Sequence, residues 1–373
     1  MVYTLVRTAL FALAAQLAVA SPLGAAPSLK VEVTPPSSSV ASVQDLKVAA
    51  TITNTGSEAV KLLKYGTILD DKLPTKSFTV NSKDGKAIPF TGIKLSVSLS
   101  DVDDTAFTFL QPGESVSTTH DVSALYDFSS AGTGSFSFAP VTDFIAIDSE
   151  VSAESAKHVE NGRQFSRIDA SSVISNTVSI EVTADVAKRD IEGHLEKRAS
   201  VTCSNTSRAS FISSSYSEAK SLASGGVSYI NSRGTSDSLY RSYWGANAAS
   251  RVTSVLSGVV NENSSSRTLS CTDALGACSN GVIAYTVIAT TNIYYCSIFF
   301  NEVATSNLCS GTTVASRNIR GGTTLHEITH AVSGTDDVTY GCAADQALSD
   351  SRKLVNADNY NCFTTQVYAS TQC

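Results

Sequence analysis

The eight cysteines of this 373-residue chain all lie in its C-terminal half: Cys203, Cys271, Cys278, Cys296, Cys309, Cys342, Cys362 and Cys373. None falls in the first 202 residues. An even number of cysteines confined to one half of an exported chain reads as four disulfides, and such bridges persist only in an oxidising compartment. No CxxC pair occurs, which argues against a cysteine-held metal cluster.

The N-terminus agrees with export. Arg7 supplies a positive charge, Ala9 to Ala20 is a short apolar run, and Ala18-Val19-Ala20 before Ser21 has the small residues of a signal-peptide cleavage site. The run is shorter than the ~20 apolar residues of a membrane span. Residues 1–20 are therefore expected to be a signal peptide, and the product to be secreted with no membrane anchor. Hydrophobic residues make up 42% of the chain and charged residues 16%, enough for buried cores. The net charge of −7 and the lack of a basic cluster argue against a nucleic-acid partner.

A second boundary sits at Lys197-Arg198, a dibasic pair five residues before the first cysteine; Lys188-Arg189 is another nearby. Cleavage after Arg198 by a secretory convertase would divide the chain into a pro-segment, residues 21–198, and a mature part, residues 199–373. The pro-segment alternates with period two at Leu29, Val31 and Val33, at Ile93, Leu95, Val97 and Leu99, and at Val178, Ile180 and Val182. Turn signals such as Asn54-Thr55-Gly56 and Asp84-Gly85 separate the runs, so an antiparallel, sandwich-like β-rich unit is expected. Lys157 to Arg198, outside its one alternating run, reads as a partly flexible linker. The mature part reads as mainly α. Phe211, Ile212, Tyr216, Ala219, Leu222 and Ala223 recur at helical spacing, and Leu239 to Val260 continues the pattern. Val282 to Ala289 and Ile293 to Phe300 predict a small β-hairpin. Thr323 to Val332 predicts a short helix entered from Gly321-Gly322, capped by Thr323 or Thr324 and ended at Gly334; Ala343 to Tyr360 predicts a last helix. Tyr240, Tyr243 and Trp244 read as core.

The chemistry lies in His326-Glu327-Ile328-Thr329-His330. Residues four apart share one helix face, so both imidazoles can reach one ion, and the glutamate beside them can deprotonate a water held there. Five histidines are present: His120, His158, His194, His326 and His330. After processing only the last two remain. A catalytic zinc takes three protein ligands and keeps one position open. With the cysteines paired, the third ligand must be a carboxylate, and the acids after Glu327 are Asp336, Asp337, Asp345, Asp350 and Asp358. A sharp turn at Ser333-Gly334-Thr335 would swing Asp336 or Asp337 back toward the ion.

HEITH followed by Gly334-Thr335-Asp336-Asp337-Val338-Thr339-Tyr340-Gly341 resembles the aspzincin signature, HExxH with GTxDxxYG, and the chain as a whole resembles the fungal deuterolysins, or neutral protease II. The resemblance implies a zincin-like metalloendopeptidase made as an inactive precursor, with one Zn2+ per mature chain. It makes Asp337 the third ligand, with Asp336 as the fallback, Glu327 the general base, and Tyr340 the phenol that steadies the oxyanion. It implies the pairs Cys203–Cys271, Cys278–Cys296 and Cys309–Cys373, which leaves Cys342–Cys362. The partners are then protein and peptide substrates, the protein's own pro-segment as inhibitor and folding aid, and the processing convertase; a monomer is expected. Family members favour basic proteins such as histones and protamine. The mature part carries ten Lys or Arg against eleven Asp or Glu, a net of about −1, so any such preference must come from acids near the cleft. The pro-segment has no thiolate to offer the ion; masking of the cleft is expected, with loan of His120, His158 or His194 as the alternative. Asn205 and Asn263 lie in N-glycosylation sequons.

Overall fold

A computed structural model describes residues 28–147, 165–191 and 200–373. The signal segment, Lys197-Arg198, His158 and His194 lie outside the described residues.

The N-terminal region contributes thirteen strands: β1 (Leu29–Thr34), β2 (Ser39–Ser42), β3 (Lys47–Asn54), β4 (Val60–Leu63), β5 (Phe78–Ser82), β6 (Ile93–Val97), β7 (Phe107–Leu110), β8 (Ser115–Asp121), β9 (Gly134–Pro140), β10 (Ile145–Ile147), β11 (Phe165–Arg167), β12 (Val173–Ser175) and β13 (Val178–Asp185). Twelve of them form three four-stranded sheets, in the orders β12-β1-β3-β8, β11-β10-β4-β7 and β2-β13-β9-β5. Strict alternation places one face inward: Leu29, Val31 and Val33 of β1 and Val48, Ala50 and Ile52 of β3 are buried while their neighbours face out. The expected linker is in part structured. Residues 165–175 supply β11 and β12, and the excepted alternating run is β13, an inner strand between β2 and β9 with Ile180 and Val182 fully buried. Two inward side chains suffice to dock a strand whose outward residues are polar.

The C-terminal region contributes β14 (Ser200–Thr202), β15 (Thr268–Ser270), β16 (Val282–Val287) and β17 (Asn292–Tyr295), and the helices α1 (Thr206–Arg233), α2 (Ser238–Trp244), α3 (Ala249–Val260), α4 (Arg320–Ser333), α5 (Cys342–Ala347), α6 (Asp350–Val355) and α7 (Ala357–Gln372). The expected hairpin is present as β16–β17, paired antiparallel. Helix α1 runs well past the expected span, buries Ile212, Ala219, Leu222, Ala223 and Ile230 on one stripe, and is capped by the Asn205 side chain. Tyr240, Tyr243 and Trp244 are core, with the indole 4.7 Å from the Tyr360 ring. The segment 239–260 is two helices, parted where the Ala246 amide bonds the Asp350 carboxylate at 2.8 Å. The expected last helix is three. The chain is extended at Asn356, whose side-chain oxygen accepts from the Val338 amide at 2.9 Å while its amide nitrogen donates to Asp345 and Asn359.

The fifth strand of the C-terminal sheet is β6. The order is β14-β15-β17-β16-β6, and β6 lies antiparallel to β16 with Leu95 opposite Tyr285. The alternation at Ile93, Leu95 and Val97 does mark a strand, as expected, but its partner belongs to the other half of the chain. All five residues of β6 are buried, including the polar Lys94 and Ser96.

The structure closes all four bridges: Cys203–Cys271, Cys278–Cys296, Cys309–Cys373 and Cys342–Cys362. No helix among the described residues is long and apolar enough to cross a membrane. The Cys342–Cys362 bridge ties α5 to α7 across 20 residues. Replacing both cysteines by alanine is expected to cost about 2–4 kcal/mol, read as a lower denaturant midpoint with a slope that rises as the uncross-linked denatured state expands.

Candidate metal centre

Helix α4 carries the two histidines through the middle of the C-terminal core, and residues 321–330 are all buried. It begins at Arg320, so Gly321-Gly322 and Thr323-Thr324 lie inside it rather than at its entrance or cap. Packing explains the difference: a Cβ on Gly322 would come within 2.2 Å of the Asn361 side-chain oxygen on α7. The two threonines bond outward instead, Thr323 to Glu302 at 2.7 Å and Thr324 to Ser215 at 2.8 Å.

His326 and His330 share one face, their rings 4.7 Å apart and nearly perpendicular. The helix stops at Gly334, whose φ of 67° and ψ of 24° form a left-handed cap that glycine adopts without penalty. The chain then doubles back and brings Asp337 over the imidazoles. Its Oδ1 lies 3.0 Å from His326 Nε2 and 3.1 Å from His330 Nε2. The ligand atoms of His326, His330 and Asp337 all lie within 4.8 Å of one another. Asp336 points away, toward Lys94 Nζ at 3.0 Å and Lys76 Nζ at 3.3 Å. Asp350 is occupied by the Ala246 amide, and Asp345 bonds Asn356.

Each imidazole is held from behind. His330 Nδ1 lies 2.7 Å from the Thr335 carbonyl oxygen. A carbonyl only accepts, so Nδ1 carries the hydrogen and Nε2 presents its lone pair toward Asp337. That Nε2 is buried without a hydrogen-bond partner, the condition of an atom shaped to hold something else. His326 Nδ1 faces Asp358 Oδ1 at 3.6 Å, an electrostatic rather than a hydrogen-bonding distance. Two imidazole nitrogens and a carboxylate oxygen are a donor set that suits zinc, and a carboxylate behind a ligand histidine is the usual support.

Glu327 is fully buried beside the cluster. Its Oε2 accepts from the Thr286 hydroxyl at 2.6 Å, and its Oε1 has no partner. Burial pushes its pKa up to about 8, against the opposing charge of His326 and the Thr286 bond. Burial would also raise Asp337, but the two imidazoles beside it hold it well below the usual carboxylate range. Burial, with the negative charge of Asp337 beside it and against that of Arg317, drives the Tyr340 phenol well above its ordinary value, so it stays a neutral donor. Its hydroxyl donates to the Leu95 carbonyl at 3.0 Å, and Leu95 N–H donates to Asp337 Oδ2 at 2.9 Å.

Thus the fold gathers His326, Glu327, His330, Asp337 and Tyr340. It does not bring in His120, whose ring is buried against the Ile68 carbonyl at 3.0 Å within the N-terminal sheets. Asn205 and Asn263 are both exposed. Sequence reasoning missed Thr286, Asp358, Arg317 and the β6 residues. Asp358 was visible as a downstream acid, but nothing in its spacing distinguished a support behind a histidine from a ligand. Arg317 binds Asp358 through Nη2 at 2.6 Å and Nε at 3.1 Å.

Two imidazoles, an aspartate and a buried glutamate beside them define a metalloprotease as the class of protein. The profile of the Deuterolysin metalloprotease (M35) family matches residues 1–371, and the chain belongs to that family. Among its relatives, a Peptidyl-Lys metalloendopeptidase of Armillaria mellea is 30% identical over 91% of this chain and 92% of its own length. A Neutral protease 2 homolog of Aspergillus terreus is 31% identical over 98% of each. A solved zinc peptidase from Grifola frondosa is 25% identical over 43% of this chain and 96% of its own, with a TM-score of 0.36. The protein is accordingly a zinc-dependent metalloprotease acting on peptides and proteins.

Asp358 and Arg317 form a pair with side chains 0% and 8% exposed. Arg317→Met strands a buried carboxylate and is expected to cost about 3–5 kcal/mol in urea unfolding, whereas an exposed pair would lose under about 1.

Proposed function

We infer that the chain is the precursor of a secreted zinc metalloendopeptidase, with residues 1–20 a signal peptide, 21–198 a pro-segment and 199–373 the mature enzyme freed by cleavage after Lys197-Arg198. The observation that carries this reading is β6. A strand from the first half of the chain is added to the edge of the β16 sheet, and its Leu95 amide and carbonyl engage Asp337 and Tyr340. The cleft is covered by the segment that processing would detach, so masking keeps the precursor inactive. The N-terminal apolar run and the four disulfides support secretion, and exposed Asn205 and Asn263 are available for glycans.

In the mature enzyme His326, His330 and Asp337 hold one zinc. When bound, the ion supplies Lewis acidity, polarising a carbonyl and making water acidic near neutral pH. Glu327, confined by Thr286, takes the proton from the attacking water and passes it to the departing amine. Tyr340 donates a hydrogen bond to the oxygen that becomes negative as the water adds. Its raised pKa keeps the phenolic proton in place at any working pH.

Metal analysis of secreted, processed protein should find one zinc per chain, and Asp337→Ala should lose it. Retention of zinc by Asp337→Ala would overturn the ligand assignment. Glu327→Gln should keep the metal and lose nearly all casein hydrolysis. Tyr340→Phe should keep the metal and lose ~10²–10³ in kcat. Replacing Lys197 and Arg198 with alanine should leave an unprocessed chain with no chelator-sensitive activity; full activity in that chain would sink the precursor reading.

A further inference from the structure

The β16–β17 hairpin is covered on both faces. Ile283, Ala284, Ile293 and Tyr295 belong to the core beneath the helices of the C-terminal region. Val282, Tyr285, Val287 and Tyr294 belong to a second core, whose other members come largely from the N-terminal strands, Leu95, Val97 and Val102 among them. None of those four hairpin residues is more than 5% exposed. The halves press together at Gly281, where a Cβ would come within 2.7 Å of the Val102 side chain. Polar contacts frame the apolar ones. The Ile288 amide donates to the Gly92 carbonyl at 2.9 Å, and the Ser98 amide to the Gly281 carbonyl at 2.8 Å. The Tyr65 hydroxyl donates to the Asn280 carbonyl at 3.1 Å, and Asp143 pairs with Arg352.

We propose that this hairpin face, with the edge of β16, is a binding surface for the pro-segment as a separate polypeptide. Cleavage after Arg198 severs the chain but leaves the pro-segment seated as a non-covalent inhibitor, and the cleft opens when it dissociates or is degraded. The proposal rests on the precursor reading above and adds a second step to activation. All the contacts just described join residues 65–143 to residues 277–352, so a cut after Arg198 breaks none of them. The cut removes only the tether, which lowers the effective concentration of the pro-segment to its actual one. Departure would uncover four apolar side chains on one face and strip β16 of its neighbour, leaving both an exposed hydrophobic patch and an unpaired sheet edge. Main-chain pairing along β6 and a core shared by both parts are what hold an added strand in place.

The test uses the full-length precursor, with and without zinc, cut in vitro at Lys197-Arg198 by a convertase and verified as two fragments on a denaturing gel. At micromolar concentration the fragments should leave a sizing column together, whether or not metal is present. Casein hydrolysis by the zinc-loaded cut protein should then be at most about a tenth of its value after dilution into the nanomolar range, where an interface of standard size lets go. Activity should rise in step with separation of the fragments, followed by fluorescence on the same column. Val102→Ala trims the shared core away from the metal cluster and should move the dilution midpoint to about tenfold higher concentration. Separate elution at micromolar concentration, full activity before dilution, or an unmoved midpoint in Val102→Ala would overturn the binding surface. The elution of the cut wild-type protein decides the main point, so a poorly folded variant does not. Co-elution followed by separation with no hydrolysis in the separated state would uphold the surface and sink the protease reading; immediate separation with full activity does the reverse.

Discussion

A carboxylate buried between two imidazoles governs this structure. Asp337 lies at about hydrogen-bond distance from both His326 and His330. A charge so placed is costly unless each lone pair and proton has a partner. The surroundings supply partners layer by layer and leave His330 Nε2 open. Thr335 orients one ring, Asp358 faces the other, Arg317 neutralises Asp358, and the Gly341 amide bonds Asp358 at 2.7 Å. Helix α4, buried along its active stretch, makes those positions rigid.

The same economy of partners explains why the two halves of the chain are joined at the site. Strand β6 satisfies the open edge of β16, and its backbone and side chains supply donors to Asp337 and to the turn oxygens. Arg317 also donates to the Val97 carbonyl at 3.0 Å. On the precursor reading proposed above, inhibition and catalysis use one surface: a sheet edge that takes a strand, beside the histidine and aspartate cluster.

Much of the site was legible in local spacing. The four-residue interval between His326 and His330 sets both rings on one helix face, and Gly334 announces the turn that brings an aspartate back. Choosing Asp337 over Asp336 by residue chemistry alone was not possible, because the two neighbours differ only in which way the loop turns them; the resemblance pointed to Asp337, and the fold brings it to both imidazoles. The role of Gly321-Gly322 was misread as a helix entrance, since a glycine pair looks the same whether it admits a turn or admits a neighbouring helix. Strands β11 and β12 fell inside the expected linker because strands of three residues carry little periodic signal.

Sequence alone determined the disulfide-bearing half, the histidine pair, the glutamate between them and the alternating strands of the first half, because each is a property of residue type at short separation. Tertiary structure decided which carboxylate meets the histidines, that Thr286 and Asp358 support the cluster, and that Ile93–Val97 pairs with a strand nearly 200 residues away. Those contacts are set by backbone hydrogen bonding and by packing around buried charge, and neither leaves a periodic trace in the order of the residues.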